Sequence, residues 1–183
     1  DSSVADGRTF AAARLRYKPD GVALGYLGTL THRPTLDRDA QVHVMDATWT
    51  GHAGVSVSGQ LAGTRIEQPL VSGGDEDGFG AVVTASYSPG GRLQQDLNLT
   101  WFDRGFNIND LGYMQRGNLR ELQTITHVHT RQFADESPLS ASYWRINSRL
   151  RTNDYGDRLP LTLELGHYWR FREPCGIYLY YYG

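Results

Sequence analysis

Hydrophobic and polar residues alternate with period two along most of the chain, and the 3.6-residue period of a helix is not needed anywhere. In residues 8–18, Ala11, Ala13, Leu15 and Tyr17 share one face, while Arg14, Arg16 and Lys18 share the other. Pro19, Asp20 and Gly21 then predict a tight turn. Residues 21–31 place Val22, Leu24, Tyr26 and Leu30 opposite small side chains, and a polar loop follows at 32–39. Residues 41–49 predict a weaker strand, because Asp46 and Trp49 pull its face assignment in opposite directions. Residues 54–66 alternate Val55, Val57, Gly59 and Leu61 with Ser56, Ser58, Gln60 and Thr64. After a Gly- and acid-rich loop at 67–77, residues 78–88 put Phe79, Ala81, Val83, Ala85 and Tyr87 together. Ser88, Pro89, Gly90 and Gly91 are a hairpin turn signal.

Residues 92–103 set Leu93, Leu97, Leu99 and Trp101 against Gln94, Asp96, Asn98 and Thr100. A long strand is predicted at 118–133 and a turn at 134–137. Residues 140–152 carry Trp144, Ile146 and Leu150 on one face and Arg145, Asn147, Arg149 and Arg151 on the other. The clearest alternation is 159–172, where Leu159, Leu161, Leu163, Leu165, His167, Trp169 and Phe171 oppose Thr162, Glu164, Arg170 and Arg172. A turn at 173–176 leads into a last strand rich in tyrosine.

This pattern predicts an all-β chain of about ten strands, most of them roughly 10–13 residues long, against a usual mean of ~5–6. A strand that crosses a bilayer at a tilt of about 45° needs ~9–11 residues. Short turns at one end and longer polar loops at the other point the same way. So do charges in the middle of the polar face and aromatics near strand ends, such as Tyr17, Trp49, Trp101 and Trp169. The expected architecture is an antiparallel up-and-down transmembrane β-barrel, or a fragment of a larger one. A soluble barrel or sandwich also alternates, and stays open as an alternative.

Composition narrows the choice. The 183 residues are 39% hydrophobic and 11% aromatic with a formal charge of −2, which excludes a disordered chain and argues against a nucleic-acid partner. A single cysteine, Cys175, excludes a disulfide scaffold. No apolar run is long enough for a spanning helix. The chain starts at Asp1 with no visible signal peptide.

One segment does not read as a solvated hairpin loop. Residues 105–117 contain Phe106, Asn107, Asn109, Asp110, Leu111, Gly112, Tyr113 and Arg116, and so many apolar side chains must pack somewhere, for instance in a barrel mouth. Phe-Asn-x-Asn-Asp-Leu-Gly-Tyr-Met-x-Arg, preceded by Thr100-Trp101-Phe102-Asp103, resembles an uncharacterised outer-membrane β-barrel family of Gram-negative bacteria. Thr9-Phe10, Ala13-Arg14-Leu15, the 21–25 stretch and the 38–42 stretch share the resemblance, which covers about 9–171. Members typically carry a secretory signal and an N-terminal module resembling carbohydrate-binding family 9. The resemblance implies an outer-membrane location and a link to glycans, and no catalytic residues. Neither that module nor a closing strand with a terminal aromatic lies within these residues, so a fragment or truncated relative is expected.

Candidate chemistry is sparse. His127 and His129 share a strand face ~7 Å apart, but no third ligand is evident. Asp75, Glu76 and Asp77, like the 153–157 loop, lack the spacing of a calcium loop. No G-x-S-x-G elbow occurs. The arginines Arg145, Arg149, Arg151, Arg170 and Arg172, with Glu164, are the expected lumen-lining set. They form either an anion-selective wall or structural pairs with Glu121, Glu164 and Asp96. The functional expectation is a non-enzymatic outer-membrane barrel, a pore or anchor linked to glycan binding or uptake, without cofactor or metal. Its expected partners are the lipid bilayer, the barrel-assembly machinery and a glycan bound through the missing module. The alternatives are a soluble β-protein binding a hydrophobic ligand and a barrel-embedded hydrolase.

Overall fold

A computed structural model describes residues 7–68, 74–110, 117–131, 133–172 and 175–183. The strands are β1 (Thr9–Tyr17), β2 (Val22–Arg33), β3 (Arg38–Thr50), β4 (Val55–Glu67), β5 (Glu76–Tyr87), β6 (Leu93–Phe102), β7 (Leu119–Thr130), β8 (Leu139–Thr152), β9 (Thr162–Phe171) and β10 (Gly176–Tyr182). A single 3₁₀ turn, Pro34–Leu36, joins β2 to β3. The ten strands form one antiparallel sheet in which chain order is also spatial order.

The sheet is all-β and up-and-down, as the alternation predicts, but it does not close. Among the described residues β1 pairs only with β2 and β10 only with β9, which leaves two edges. Turn chemistry and period specify which neighbours pair. Closure also requires tilt and stagger to bring the first strand beside the last, and alternation does not encode those.

The doubtful strand at 41–49 is the 13-residue β3. Its conflict dissolves because Asp46 and Trp49 stand on opposite faces, and Asp46 lies 3.5 Å from Arg14 on the polar one. At the other extreme β9 starts only at Thr162, since Pro160 has no N–H to give a ladder. The loop asymmetry is partial. Connections 18–21, 51–54, 88–92 and 172–175 are tight, but 131–138 at the same end is longer. The opposite end carries 68–75, 103–118 and 153–161 along with the short 34–37 turn. Gly54 shows how tight the short turns are: its φ is 76° and a Cβ there would meet the Ser88 carbonyl.

The register joins the apolar positions into continuous rows. Leu15 faces Tyr26, Tyr26 faces Met45, Met45 faces Leu61, and Leu61 faces Ala81. Farther on, Leu99 faces Leu122 and Leu122 faces Leu150. This apolar face is the exposed one: Leu15 is 70% accessible, Met45 63% and Leu61 50%. The opposite face buries Thr29, Thr31, Thr64, Asn147 and Thr162. Among the described residues its buried apolar side chains are Ala40, Val42, Ile66 and Phe106. The chain exposes 12413 Å², where a compact chain of this mass, 20.5 kDa, would expose about 8,800 Å².

Candidate functional site

The polar face carries two polar constellations, one built on β7–β9 and one where the loop after β6 folds back.

On β7–β9, alternation places Glu121, Gln123, Arg145, Asn147, Arg149, Arg151, Thr162 and Glu164 on the same side. Arg145 Nη1 donates to Glu164 Oε2 at 3.0 Å, and Asn147 Nδ2 donates to the same oxygen at 2.9 Å. Gln123 Nε2 in turn donates to Asn147 Oδ1 at 2.9 Å. Arg149 Nε lies 3.6 Å from Glu121 Oε2, and Arg151 Nη2 donates to Thr162 Oγ1 at 3.3 Å. The negative charge of Glu164 is thus held by an amide and a guanidinium from one neighbouring strand, which fixes the carboxylate as an ion-pair partner. Asp96 accepts from Gln94 Nε2 at 3.0 Å.

Arg170 and Arg172 stand apart from this ladder. Arg170 is on the same face of β9 but at its turn end, where it lines an open hollow of ≈ 1070 Å³ with Arg131 and Tyr168. Arg172 lies beyond the strand. Its guanidinium donates to the carbonyls of Ser137 at 2.9 Å and Ala134 at 3.1 Å, and so ties down the 131–138 connection. His127 and His129 do share the polar face, as expected, with Tyr143 between them: its hydroxyl bonds His127 Nδ1, and its ring lies 4.7 Å from that of His129. Among the described residues no group of three or more His, Cys, Asp and Glu is placed to hold a metal.

The second constellation forms around the loop. Phe106 turns inward and stacks on Phe102, with ring centroids 4.9 Å apart. Room for it comes from Gly78 and Gly80: a Cβ on Gly78 would lie 2.2 Å from the Phe106 nitrogen. The Asn107 N–H donates to Thr64 Oγ1 at 3.3 Å, and Asn107 Oδ1 accepts from the Asn109 N–H at 3.0 Å, closing an Asx turn. Asp110, its side chain only 5% exposed, then reaches the turn between β2 and β3. Arg38 Nη2 lies 2.7 Å from Asp110 Oδ2 and Arg33 Nε 3.1 Å from Oδ1. Arg8 donates to the Asp110 backbone carbonyl. Leu111, Gly112, Tyr113 and Arg116 lie outside the described residues.

Arg33 and Arg38 did not stand out in the sequence, although a signal was there. They face each other across the ladder. Two like charges directly opposite are destabilising unless an anion comes between them, and Asp110 is that anion. The third overlooked feature is on the apolar face, where Ser142 Oγ lies 2.7 Å from His167 Nε2 and both residues are buried. Alternation assigns His167 to the apolar row, but the bond to Ser142 exists only because the two strands pair in this register.

Comparison with family models, curated proteins and solved structures finds no match.

Proposed function

We propose that this sheet is wall material of a bacterial outer-membrane β-barrel, serving as a pore or anchor in glycan handling. The apolar face meets acyl chains and the polar face lines the lumen. The described part of the loop after β6 folds into that lumen and narrows it at one end.

The observation that carries this reading is the inversion of burial. Side chains such as Leu15, Met45 and Leu61 stand in the open, while threonines, an asparagine and Asp110 are buried on the other side. A water-soluble sheet would do the reverse, because exposing large apolar rows forfeits ~25 cal/mol per Å². All four tryptophans, Trp49, Trp101, Trp144 and Trp169, fall on the apolar face. Trp49 and Trp169 lie near the tight-turn end and Trp101 near the opposite end, as two interfacial belts require. Strands β2–β9 have 10–14 residues, enough for a tilted crossing of ~25 Å.

In hydrocarbon the edges of β1 and β10 must find partners, because an unpaired backbone costs several kcal/mol per group. With an even number of strands β1 and β10 run antiparallel, so the wall completes itself by pairing them or by adding strands between them. The assembly machinery that inserts such walls is the implied partner. The glycan link rests on the resemblance of the 105–117 motif.

The test is reconstitution into phosphatidylcholine vesicles with brominated acyl chains. Insertion predicts strong quenching of the tryptophan emission, with protease protection of β2–β9. A monodisperse chain in detergent-free buffer whose tryptophans ignore the brominated lipid would favour the soluble alternative. Planar-bilayer conductance then separates a pore from an anchor.

A further inference from the structure

The polar face pairs most of its β7–β9 charges, and the apolar face carries polar pairs of its own, among them Tyr26 with His43 and Thr124 with Ser148; one pair differs in joining a buried hydroxyl to a buried imidazole. Ser142 on β8 and His167 on β9 are hydrogen-bonded at 2.7 Å, in a row otherwise made of Trp144, Ile146, Leu165 and Trp169. The imidazole is stacked on the Trp144 ring with centroids 3.6 Å apart, and the tilted Trp169 ring has its centroid 3.8 Å away. His167 is 7% exposed and Ser142 8%, and the Nδ1 of His167 is buried without a hydrogen-bond partner. A polar pair on a face that meets lipid is costly and is, by default, functional. Beside it lies a hollow of ≈ 320 Å³ lined by Trp144, Leu165, His167, Trp169, Leu179 and Tyr181, among others.

We propose that Ser142 and His167 form a nucleophile–base dyad that cleaves acyl esters of glycerophospholipids presented to the apolar face. The choice of lipid as substrate rests on the bilayer reading above, whereas the dyad itself does not. With the imidazole proton on Nδ1, the Ser142 hydroxyl donates to Nε2, the geometry in which a neutral histidine activates a serine. The hollow is apolar and open, which suits an acyl chain. The depth also fits. His167 is four residues from the last residue of β9, roughly 13 Å from the tight-turn end along the strand and so about 9 Å in depth at a tilt of about 45°. Between it and that end stands Trp169, in the belt that marks the headgroup level where ester carbonyls lie.

The step balances without a cofactor. Ser142 Oγ bonds the ester carbonyl carbon as its proton passes to His167 Nε2. The tetrahedral oxyanion collapses, the bond to the glycerol oxygen breaks, and the departing lysolipid alcohol takes the proton from Nε2. Interfacial water, activated by the same nitrogen, attacks the acyl-serine, releases a fatty acid and restores the hydroxyl. No third residue orients Nδ1 among the described residues, so turnover is expected to be slow and acyl-enzyme formation to be the clearest signal.

The experiment has two arms on the purified full chain. In detergent micelles, a fluorophosphonate probe should label Ser142, as located by peptide mass spectrometry. Ser142→Ala should abolish labelling, His167→Gln should slow it about 100-fold, and Ser56→Ala on the opposite face should leave it unchanged. Absent labelling of the wild type, or equal labelling in Ser142→Ala, overturns the dyad. In the second arm, phosphatidylethanolamine vesicles should release fatty acid with the wild type and not with Ser142→Ala, with bromolipid quenching confirming equal insertion of both. Labelling without fatty-acid release overturns the lipid substrate and leaves the dyad. Failure of the chain to insert counts against the bilayer reading alone, because the micelle arm does not depend on it.

Discussion

The polar face solves one problem in two ways. Over β7–β9 it is covered by its own long side chains, with Arg145, Asn147 and Glu164 joined in a flat network. Over β2–β6 small residues, among them Ala40, Gly78 and Gly80, leave space on that face, and residues 105–110 of the loop that follows β6 pack into it. The first region is paired within adjacent strands, so register alone assembles it. The second is held by Asp110 on Arg33 and Arg38 and by Phe106 on Phe102, contacts that are long-range for Asp110 and local for Phe106. Side-chain size thus sorts one face of one sheet into a part that needs a lid and a part that does not.

The largest expected effect breaks the loop-covered part. Asp110→Ala leaves two guanidiniums facing each other without their anion and should cost about 3–4 kcal/mol of local stability. Protease susceptibility of the 103–118 connection should rise sharply while the β7–β9 ladder stays protected from hydrogen exchange. Loss of protection across the whole sheet would show that the two regions are one unit.

Moving a charge across β8 tests its two sides. Arg145 is accommodated on the polar side, whereas Ile146→Arg, one residue on and 41% exposed, puts the same group on the apolar side. If that side meets lipid near mid-depth, the cost is about 2–4 kcal/mol, read as loss of folded yield in vesicles. In water a substitution this exposed would change stability by less than ~0.5 kcal/mol.

Gly78→Ala should cost about 2 kcal/mol by pushing the loop backbone away, since its Cβ would meet Gly105 and Phe106 main-chain atoms. Gly63→Ala, where nothing lies within 4 Å of the new Cβ, should be close to neutral. The two unfolding midpoints in urea give the comparison directly. The smallest effect belongs to the self-paired region. Glu164→Gln keeps the shape and removes the charge, for about 1 kcal/mol, because Arg145 is 31% exposed and water replaces part of the pairing. An unchanged midpoint would mean that the amide of Asn147, not the guanidinium, holds this position.

The strands and their faces were legible in the sequence because a period of two has one structural meaning. The alternations at 159–172 and 54–66 could be read by position alone, although the first starts its ladder only at Thr162, and even the doubtful β3 obeyed the rule once Asp46 and Trp49 were given separate faces. The 105–117 motif announced that it must pack, through Phe106, but not what it packs on. Arg33 and Arg38 were overlooked because a pair of arginines beside a turn looks like any solvated loop until a carboxylate from 72 residues away is placed between them. Ser142 and His167 were overlooked because 25 residues separate them and neither belongs to a motif.

The sequence by itself determined the ten strands, their order and the two unlike faces, since alternation and turn residues act over a few neighbours. The tertiary structure decided which face is exposed, where the loop lands, which arginine meets which acid, and that the first and last strands stay apart. Those outcomes depend on sheet curvature and on distances between residues far apart in the chain, and no local pattern carries that information.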